Sequence, residues 1–280
     1  MDNFSYNYKQ IRKTLNTNAK KYHSLEFIFA ELSKRMIERL DYIKLVPELV
    51  LDCGSGIGFD SKLLRESYPK ASVLALDNSI ELLKLINYDN KLSIIKKLFK
   101  KSNKLFALNA EVYSLPIKNQ TIDLVYSNQL VPYLSDLVKF FKEVRRITKI
   151  GGAFFVSGLG VDSFKELRDL GLSTFRFPDM HDIGDMLIEV GFTNPVVDTE
   201  YISLEYDRLA TLLDELKIIS CGASNDVSLH KYLGKDVYKT IQSRLNEPIK
   251  LTLEIFVAHG WKDKNVFDLP EGHKTITFNK

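Results

Sequence analysis

Short apolar runs alternate with amphipathic segments through the first 160 residues of the chain. Runs of strand length occupy residues 45–52, 71–77, 104–111, 121–128 and 151–159. Segments with apolar residues at helical spacing occupy 24–40, 58–68, 79–88 and 134–148. Strands that alternate with helices of this length predict crossover connections and a parallel sheet covered on both faces.

The alternation slows after residue 160. We expect a helix over 180–192, ended by Gly191, and two further strands over 193–207 and 249–261 that close one edge of the sheet. Residues 208–247 between these strands read as a helical insert, best placed over the carboxyl edge, where open α/β folds bind ligands. The prediction is one α/β domain over 1–280, Rossmann-like, with a seven-stranded, mostly parallel sheet and an N-terminal helical lid over 1–40.

A glycine-rich loop, LDCGSGIGFD (51–60), follows the first of these strands. A dinucleotide-binding loop has the spacing G-x-G-x-x-G, which clears space for a pyrophosphate at a helix N-terminus. Here the glycines are Gly54, Gly56 and Gly58, and Phe59 stands where the third dinucleotide glycine would be. Asp52 precedes the loop, and its carboxylate would repel a pyrophosphate. The loop therefore favours a ligand without phosphate.

S-adenosylmethionine has the matching chemistry, because it carries an ammonium, a carboxylate and a sulfonium. We expect Asp52 to accept a hydrogen bond from the ammonium at the mouth of the loop. Asp77 ends the second strand, where a carboxylate can accept both ribose hydroxyls, and Glu111 ends the third, where it can meet the adenine amino group. The plainer alternative is that Asp52 and Asp77 only cap helices.

Composition narrows the class of protein. The 280 residues are 45% hydrophobic and 27% charged, with a net charge of +3, which is typical of a globular domain. The two cysteines and five scattered histidines have no metal-ligand spacing, so we expect no metal. No apolar run approaches the roughly 20 residues that cross a bilayer, and the polar N-terminus is unlike a signal peptide. We expect a cytoplasmic protein with neither a membrane nor nucleic acid as partner.

Several longer blocks carry a family resemblance. The glycine loop, SLPIKNQTIDLVYSNQLVPYLSDLVKFFKEVRRITKIGGAFFVS (114–157) and above all FRFPDMHDIGDMLIEVGFTNPVVD (175–198) resemble the malonyl-[acyl carrier protein] O-methyltransferases of biotin synthesis. LKIISCGASN (216–225) and FVAHGWK (256–262) do so as well. The resemblance runs from about Tyr22 to Lys262. The first block is common to many class I methyltransferases, and the later blocks are much more specific to this family.

The resemblance implies a reaction and a donor site. The family methylates the free carboxylate of a malonyl thioester with S-adenosylmethionine, releasing S-adenosylhomocysteine, and the ester is extended to a pimeloyl chain. The resemblance places Asp52, Gly54, Gly56, Asp77 and Glu111 at donor-binding positions and Asn128 at the edge of the site. The remaining expected donor contacts flank these positions: Ser55, Gly58, Asn78, Ala110 and Val112.

The chain departs from the family pattern at three places. Members usually have Asp at the position of Glu111, and often an aromatic pair after the fourth strand, where this chain has Pro132 and Tyr133. The usual Phe-x-Arg-x-Ala-x-x-Tyr near the N-terminus retains only its alanine and tyrosine, Ala19 and Tyr22. These departures would change the affinity for S-adenosylmethionine, the contacts of the N-terminal lid and the specificity for the acceptor.

The acceptor chemistry needs positioning more than it needs a base. A carboxylate with a pKa of about 4 is already ionised at neutral pH, so we expect no catalytic acid or base and assign catalysis to orientation. Arg176 is the candidate that holds the malonyl carboxylate, because a guanidinium fixes a carboxylate in a planar geometry. Tyr22 and Tyr133 are candidate hydroxyl donors to the substrate. A surface arginine and half-buried core tyrosines are the alternatives.

The remaining substrate would be an acidic acyl carrier protein. Lysines over 91–104 and the pair Arg145 and Arg146 are candidate docking charges, with ordinary solvated faces as the alternative. Other functions share this fold. The alternatives are a relative of the complex I assembly factor that hydroxylates an arginine, a methyltransferase for a quinone-like small molecule, and a regulator that binds the donor without catalysis.

Overall fold

The computed structural model describes residues 8–20, 26–91, 104–169, 177–220, 239, 242–243 and 248–263. The strands are β1 (Leu49–Cys53), β2 (Ser72–Asp77), β3 (Leu105–Asn109), β4 (Ile122–Ser127), β5 (Thr148–Leu159), β6 (Thr193–Tyr206) and β7 (Ile249–Lys262). The helices are α1 (Tyr8–Asn18), α2 (Glu26–Leu40), α3 (Phe59–Ser67), α4 (Ile80–Lys91), α5 (Leu137–Ile147), α6 (Lys165–Asp169), α7 (Met180–Glu189) and α8 (Leu209–Ser220).

The seven strands form one sheet in the order β3-β2-β1-β4-β5-β7-β6. β1 to β5 run parallel, and β7 pairs antiparallel with both β5 and β6. The predicted α/β class, the mostly parallel seven-stranded sheet and the closing pair of strands at its edge are therefore confirmed. The strand order reverses between β1 and β4, and open α/β sheets form their binding crevice at such a point.

The central strands are buried on both faces, which is why they read as continuous apolar runs. In β4 the side chains of Leu124 and Val125 point to opposite faces, and neither is exposed to solvent. Helix α5 covers one face with Phe140, Phe141 and Val144, whose spacing of one and four residues places them on one side of the helix. The helices thus fix the sheet from both sides and leave its carboxyl edge free to carry a site.

Helices α1 and α2 attach to the domain through polar contacts. Asn16 of α1 accepts a hydrogen bond from the Ser79 hydroxyl, at 2.6 Å, beside the start of α4. On α2, Arg35 and Arg39 both form ion pairs with Glu200 of β6. Apolar side chains of α1 and α2 enter the same buried cluster as Leu82 of α4. The N-terminal helices therefore pack on the sheet domain at two separate points.

Part of the predicted insert over 208–247 is helical. Helix α8 covers Leu209–Ser220, and Leu212 and Leu216 are buried in the cluster that also holds the N-terminal helices. Most of the insert beyond Ser220 lies outside the described residues. The structure adds the short helix α6, which the sequence pattern did not indicate. Within the described part of the chain, no helix combines the length and the apolar composition needed to cross a membrane.

Candidate active site

A cavity opens at the carboxyl ends of β1, β2 and β4. The glycine loop forms its floor, and Ile11 and Leu15 of α1 form part of its cover. Nine of the predicted site residues line this cavity: Gly54, Ser55, Gly56, Asp77, Asn78, Glu111, Val112, Asn128 and Tyr133. Residues spread over 80 positions of sequence thus converge because parallel strands deliver their carboxyl ends to one edge of the sheet.

The backbone of the glycine loop has left-handed geometry that side chains rarely adopt. Gly54 and Gly58 have φ of 83°, and Gly56 has φ of 53°. At Gly58 a Cβ would lie 2.6 Å from Cγ1 of Ile86, so this glycine also allows close packing of α4. Gly58 does not line the cavity; it precedes α3, and its amide donates to the Ser55 carbonyl at 2.8 Å. Gly58 therefore shapes the loop rather than lining the cavity.

Asp77 joins the loop to β2. Its Oδ2 accepts a hydrogen bond from the Gly56 amide at 3.0 Å, and its Oδ1 accepts one from the Ser79 amide at 2.8 Å. Burial raises the pKa of Asp77 to about 6, against the opposing effect of these backbone donors. Asp77 thus caps the turn before α4, as the alternative interpretation held, and it also lines the cavity.

Glu111 follows β3 and lines the cavity. Its carboxylate is half-exposed and pairs with Arg12 of α1, the two groups lying 3.5 Å apart. Ala110, the residue before it, does not line the cavity; its amide donates to the Asp77 carbonyl at 3.2 Å. Helix α1 is therefore linked to the predicted adenine end by charge as well as by apolar packing.

Asp52 does not lie at the mouth of the loop, which corrects that part of the prediction. It is only 1% exposed, and its Oδ2 accepts a hydrogen bond from the hydroxyl of Ser61 on α3. Its Oδ1 has no hydrogen-bond partner among the described residues. Burial, and then the nearby charge of Asp60, raise the pKa of Asp52 well above its usual range. The side chain therefore turns toward α3, where the Ser61 hydroxyl donates to it.

Asp60, unlike Asp52, lines the cavity, and the sequence analysis assigned it no role. Its Oδ1 accepts a hydrogen bond from the Tyr126 hydroxyl at 2.7 Å, and its Oδ2 accepts one from Nδ2 of Asn128 at 3.1 Å. The hydroxyl of Ser33 on α2 also bonds to this carboxylate. Burial raises the pKa of Asp60 in spite of these donors. An acidic residue in the first turn of a helix ordinarily interacts with the helix dipole, so nothing in the sequence separated Asp60 from that common role.

A second, more apolar cavity adjoins the first. Phe29, Gln129 and Tyr133 line both cavities and form the junction between them. Leu159, Phe164 and Phe177 are among the side chains that enclose the second cavity. The predicted substrate residues Tyr22 and Arg176 lie outside the described residues, although Arg176 directly precedes Phe177.

The candidate docking charges divide into two groups. All five N–H groups of Arg146 donate hydrogen bonds within the fold, to Glu143, to Asn119 and to the carbonyls of Leu115 and Ile117. Arg146 is therefore a structural residue rather than a docking charge. Nε of Arg145 donates to the Gly191 carbonyl at 3.0 Å. Of the lysine stretch, the side chain of Lys104 is exposed, and most of the others lie outside the described residues.

No group of three or more potential metal ligands is found among the described residues. The cavity instead fits the predicted methyl donor. A carboxylate at the end of β2 faces it, and the loop beside that carboxylate has the backbone geometry of a glycine cradle. Ser55 also lines the cavity and is 6% exposed, and its hydroxyl has no hydrogen-bond partner in the described part of the chain. A ligand with polar groups would satisfy this hydroxyl.

Comparisons with known proteins define the class and then the family. Residues 51–156 match the family model "Methyltransferase domain". A phosphoethanolamine N-methyltransferase 2 of Haemonchus contortus, solved in complex with S-adenosyl-L-methionine, has the same fold. Its TM-score is 0.58 at 17% identity, with 91% of this chain and 60% of that chain covered. The fold is therefore that of a class I methyltransferase.

The family follows from relatives that match most of the chain. A malonyl-[acyl-carrier protein] O-methyltransferase of Gallionella capsiferriformans is 35% identical over 94% of this chain and 93% of its own length. Another, of a Methylovorus species, is 34% identical over 96% of this chain and 94% of its own length. The chain belongs to the malonyl-[acyl-carrier protein] O-methyltransferase family.

Proposed function

We propose that the protein transfers the methyl group of S-adenosylmethionine to the free carboxylate of a malonyl thioester carried by an acyl carrier protein. The similarity to malonyl-[acyl-carrier protein] O-methyltransferases over more than nine-tenths of the chain carries this proposal. The product is a malonyl methyl ester, and its place in biotin synthesis is the one that the family resemblance implies. Membership of this family favours carboxyl methylation over arginine hydroxylation or quinone methylation.

At the donor end, the chain's contribution is binding and alignment. We assign Gly54 and Gly56 to close backbone approach to the methionine part, and Asp77 to the ribose hydroxyls. Glu111 and Val112 are assigned to the adenine. Asp77 remains able to accept further hydrogen bonds, because its two carboxylate oxygens have four lone pairs and three backbone N–H groups donate to them, those of Gly56, Asn78 and Ser79.

The bound donor supplies an electrophilic methyl group: a carboxylate oxygen forms the new O–C bond as the C–S bond breaks, and the electron pair stays on sulfur. The acceptor carboxylate, with a pKa of about 4, needs no proton removed near neutral pH. The protein must hold it in line with the C–S bond, and such alignment alone can lower a barrier by about 7–11 kcal/mol. The junction formed by Phe29, Gln129 and Tyr133 is our candidate for the place of transfer.

We assign the acceptor's thioester arm to the second cavity, whose apolar walls suit an acyl chain better than a charged group. The malonyl carboxylate then requires a cation near the junction. We propose that Arg176 is this cation. Its chain neighbour Phe177 lines the second cavity, which supports this placement. Tyr133 is proposed as a hydroxyl donor to the same carboxylate, and Tyr22 remains a second candidate.

The remaining proposals concern access and docking. We infer that residues 1–40 cover the site, since Ile11, Leu15 and Phe29 all line the cavity. The insert over 208–247 is proposed as the other cover, because its helix α8 shares a buried cluster with α1. For an acidic carrier protein, the lysines over 91–104 remain the candidate surface, now without Arg146.

Genetic complementation tests the proposed function. The wild-type chain should restore biotin-free growth of a bacterial strain that lacks its own malonyl methyltransferase. An Asp77→Ala variant, expressed at the same level, should not, because it lacks the proposed donor contact. Failure of the wild-type chain to restore growth while it is soluble and expressed would contradict the proposal.

A further inference from the structure

The cavity carries more negative charge than positive charge in the described part of the chain. Asp60, Asp77 and Glu111 line it, and Asp52 lies behind the loop. Arg12 pairs with Glu111, and no arginine or lysine is among the described residues that line the cavity. Among the residues that the structure describes, the donors to the Asp60 carboxylate are neutral groups, those of Tyr126, Asn128 and Ser33. The wall around Asp60 is thus built to face a cation.

A second observation points to a ligand at this wall. Ser55 lines the cavity between the glycines, is 6% exposed and has a hydroxyl without a hydrogen-bond partner among the described residues. Buried hydroxyl groups without a partner are uncommon in folded proteins. A polar ligand in the cavity would supply that partner, and it would lie against the same loop that leads into Asp60.

The two ends of the cavity are assigned to different parts of the donor. Asp77, Asn78 and Glu111 mark the end assigned to the nucleoside. Asp60 and Asn128 lie toward the junction with the second cavity, because Asn128 bonds to Asp60 and its chain neighbour Gln129 lines both cavities. The sulfonium methyl of the donor has to face that junction if the acceptor occupies the second cavity. Asp60 therefore belongs to the half of the cavity that would hold the sulfonium.

We propose that Asp60 makes the cavity select the methyl donor over the spent donor. S-adenosylmethionine has a sulfonium and a net charge of about +1, whereas S-adenosylhomocysteine has a neutral thioether and a net charge of about zero. A carboxylate near the sulfur stabilises the former and gains little from the latter. Tyr126 and Asn128 hold the carboxylate in place, so that loss of the methyl group weakens binding and favours release of the product.

This inference rests on the proposed donor and goes beyond it in assigning selectivity to one residue. It does not require Asp60 to take up or release a proton during the reaction. A cation in the cavity would favour the ionised form of Asp60, opposing the effect of burial. Measurements at about pH 8 favour the ionised carboxylate in the free protein more than measurements at lower pH do.

Isothermal titration calorimetry of the full chain with each compound tests the proposal. In Asp60→Asn the ratio of the Kd for S-adenosylhomocysteine to the Kd for S-adenosylmethionine should fall roughly fivefold or more relative to wild type. Asparagine keeps one acceptor oxygen, which can still accept from the Tyr126 hydroxyl, and burial already disfavours the charge, so this variant should fold. Asp60→Ser provides a second neutral variant. Asp185→Asn, an exposed aspartate of α7, is the control with the same change in net charge.

The outcomes separate the two claims. A lower ratio in both Asp60 variants, with an unchanged ratio in Asp185→Asn, would support the proposal. An unchanged ratio in the Asp60 variants would overturn it, even if both compounds bound more weakly. Failure of the wild-type chain to bind either compound would instead refute the assignment of the donor.

Discussion

The amide of Gly56 donates a hydrogen bond to Oδ2 of Asp77, and the two atoms lie 3.0 Å apart. This contact joins the glycine loop after β1 to the end of β2, the neighbouring strand. The same carboxylate also accepts a bond from Ser79 at the start of α4. One side chain therefore fixes the position of the loop and faces the cavity that the loop forms.

Replacing Asp77 should affect the donor more than the fold. In Asp77→Asn one acceptor oxygen remains, but the charge and the second acceptor are lost, so the Kd for S-adenosylmethionine should rise about tenfold or more. The free energy of unfolding should change less, because burial of the charge is itself unfavourable. Calorimetric titration and thermal unfolding measure the two effects. Undiminished donor affinity would exclude Asp77 from the site.

Donor affinity should also fall in acid. Burial raises the pKa of Asp77 to about 6, so its carboxylate is protonated as the pH drops below that value and loses its capacity as a double acceptor. The pKa values of Asp52 and Asp60 are raised too, and they contribute in the same direction. Kd values for S-adenosylmethionine between about pH 5 and pH 8 should show this loss, with a smaller pH dependence in Asp77→Asn. Identical profiles would contradict the assignment.

The raised pKa of Asp77 affects the stability of the fold in the opposite direction: a higher pH favours donor binding but lowers the free energy of unfolding. The folded state holds the Asp77 proton more tightly than the unfolded chain, whose aspartates have a pKa of about 3.9. This group's contribution to the free energy of unfolding therefore decreases as the pH rises from about 4 to about 6. In urea unfolding across this window, Asp77→Asn should gain stability relative to wild type as the pH increases. A constant difference between the two proteins would contradict the shift.

Two glycines of the loop should respond differently to alanine. At Gly58 the φ of 83° is combined with a Cβ position 2.6 Å from Ile86, so Gly58→Ala should lower the free energy of unfolding by roughly 2–4 kcal/mol. At Gly56 the φ is 53° and no atom lies within 4 Å of the added Cβ. Gly56→Ala should therefore cost only about 1 kcal/mol. Equal losses in chemical unfolding would show that packing against Ile86 does not decide the effect.

Arg146 provides a test of the corrected docking surface. Its guanidinium ties α5 to the loop that contains Leu115 and Ile117, so Arg146→Ala should destabilise the protein by roughly 2–3 kcal/mol. The KM for the carrier-protein substrate should stay within about twofold of wild type, a difference of about 0.4 kcal/mol. Lys142→Ala, at an exposed position of the same helix, is the control for stability. A large rise in KM without a loss of stability would restore Arg146 as a docking charge.

The fold was predictable from sequence because each element carries a local signal. The strands buried on both faces appear as apolar runs, and the glycine loop marks the turn from β1 into α3. Helix α6 was missed because five residues are too few to show helical periodicity. Contacts that join distant segments, such as the pairing of Arg39 with Glu200, leave no such local signal.

The site was predictable where a residue type stands at the end of a strand. Asp77 and Glu111 follow this rule, and the structure brings both to the cavity. Asp52 obeys the same rule but turns into the interior, because side-chain direction at the end of β1 depends on packing against α3. Asp60 was missed since its environment is created by Tyr126 and Asn128, more than 60 residues away in the chain.

Replacing Arg176 tests whether its guanidinium holds the malonyl carboxylate. Arg176→Ala should raise the KM for malonyl thioester or lower kcat by about tenfold or more while the Kd for S-adenosylmethionine stays the same. Arg176→Lys should recover only part of the loss, because an ammonium cannot form the two parallel hydrogen bonds of a guanidinium. Steady-state kinetics with varied acceptor make this comparison. Wild-type acceptor kinetics in Arg176→Ala would remove this residue from the site.

Transfer of labelled methyl from S-adenosylmethionine to a purified malonyl-carrier protein tests the central claim most directly. Label should enter the malonyl group as a base-labile methyl ester with wild-type protein and not with Asp77→Ala. Acetyl-carrier protein, which lacks the free carboxylate, should remain unlabelled. Absence of label from the malonyl thioester, or equal labelling of the acetyl form, would contradict the account.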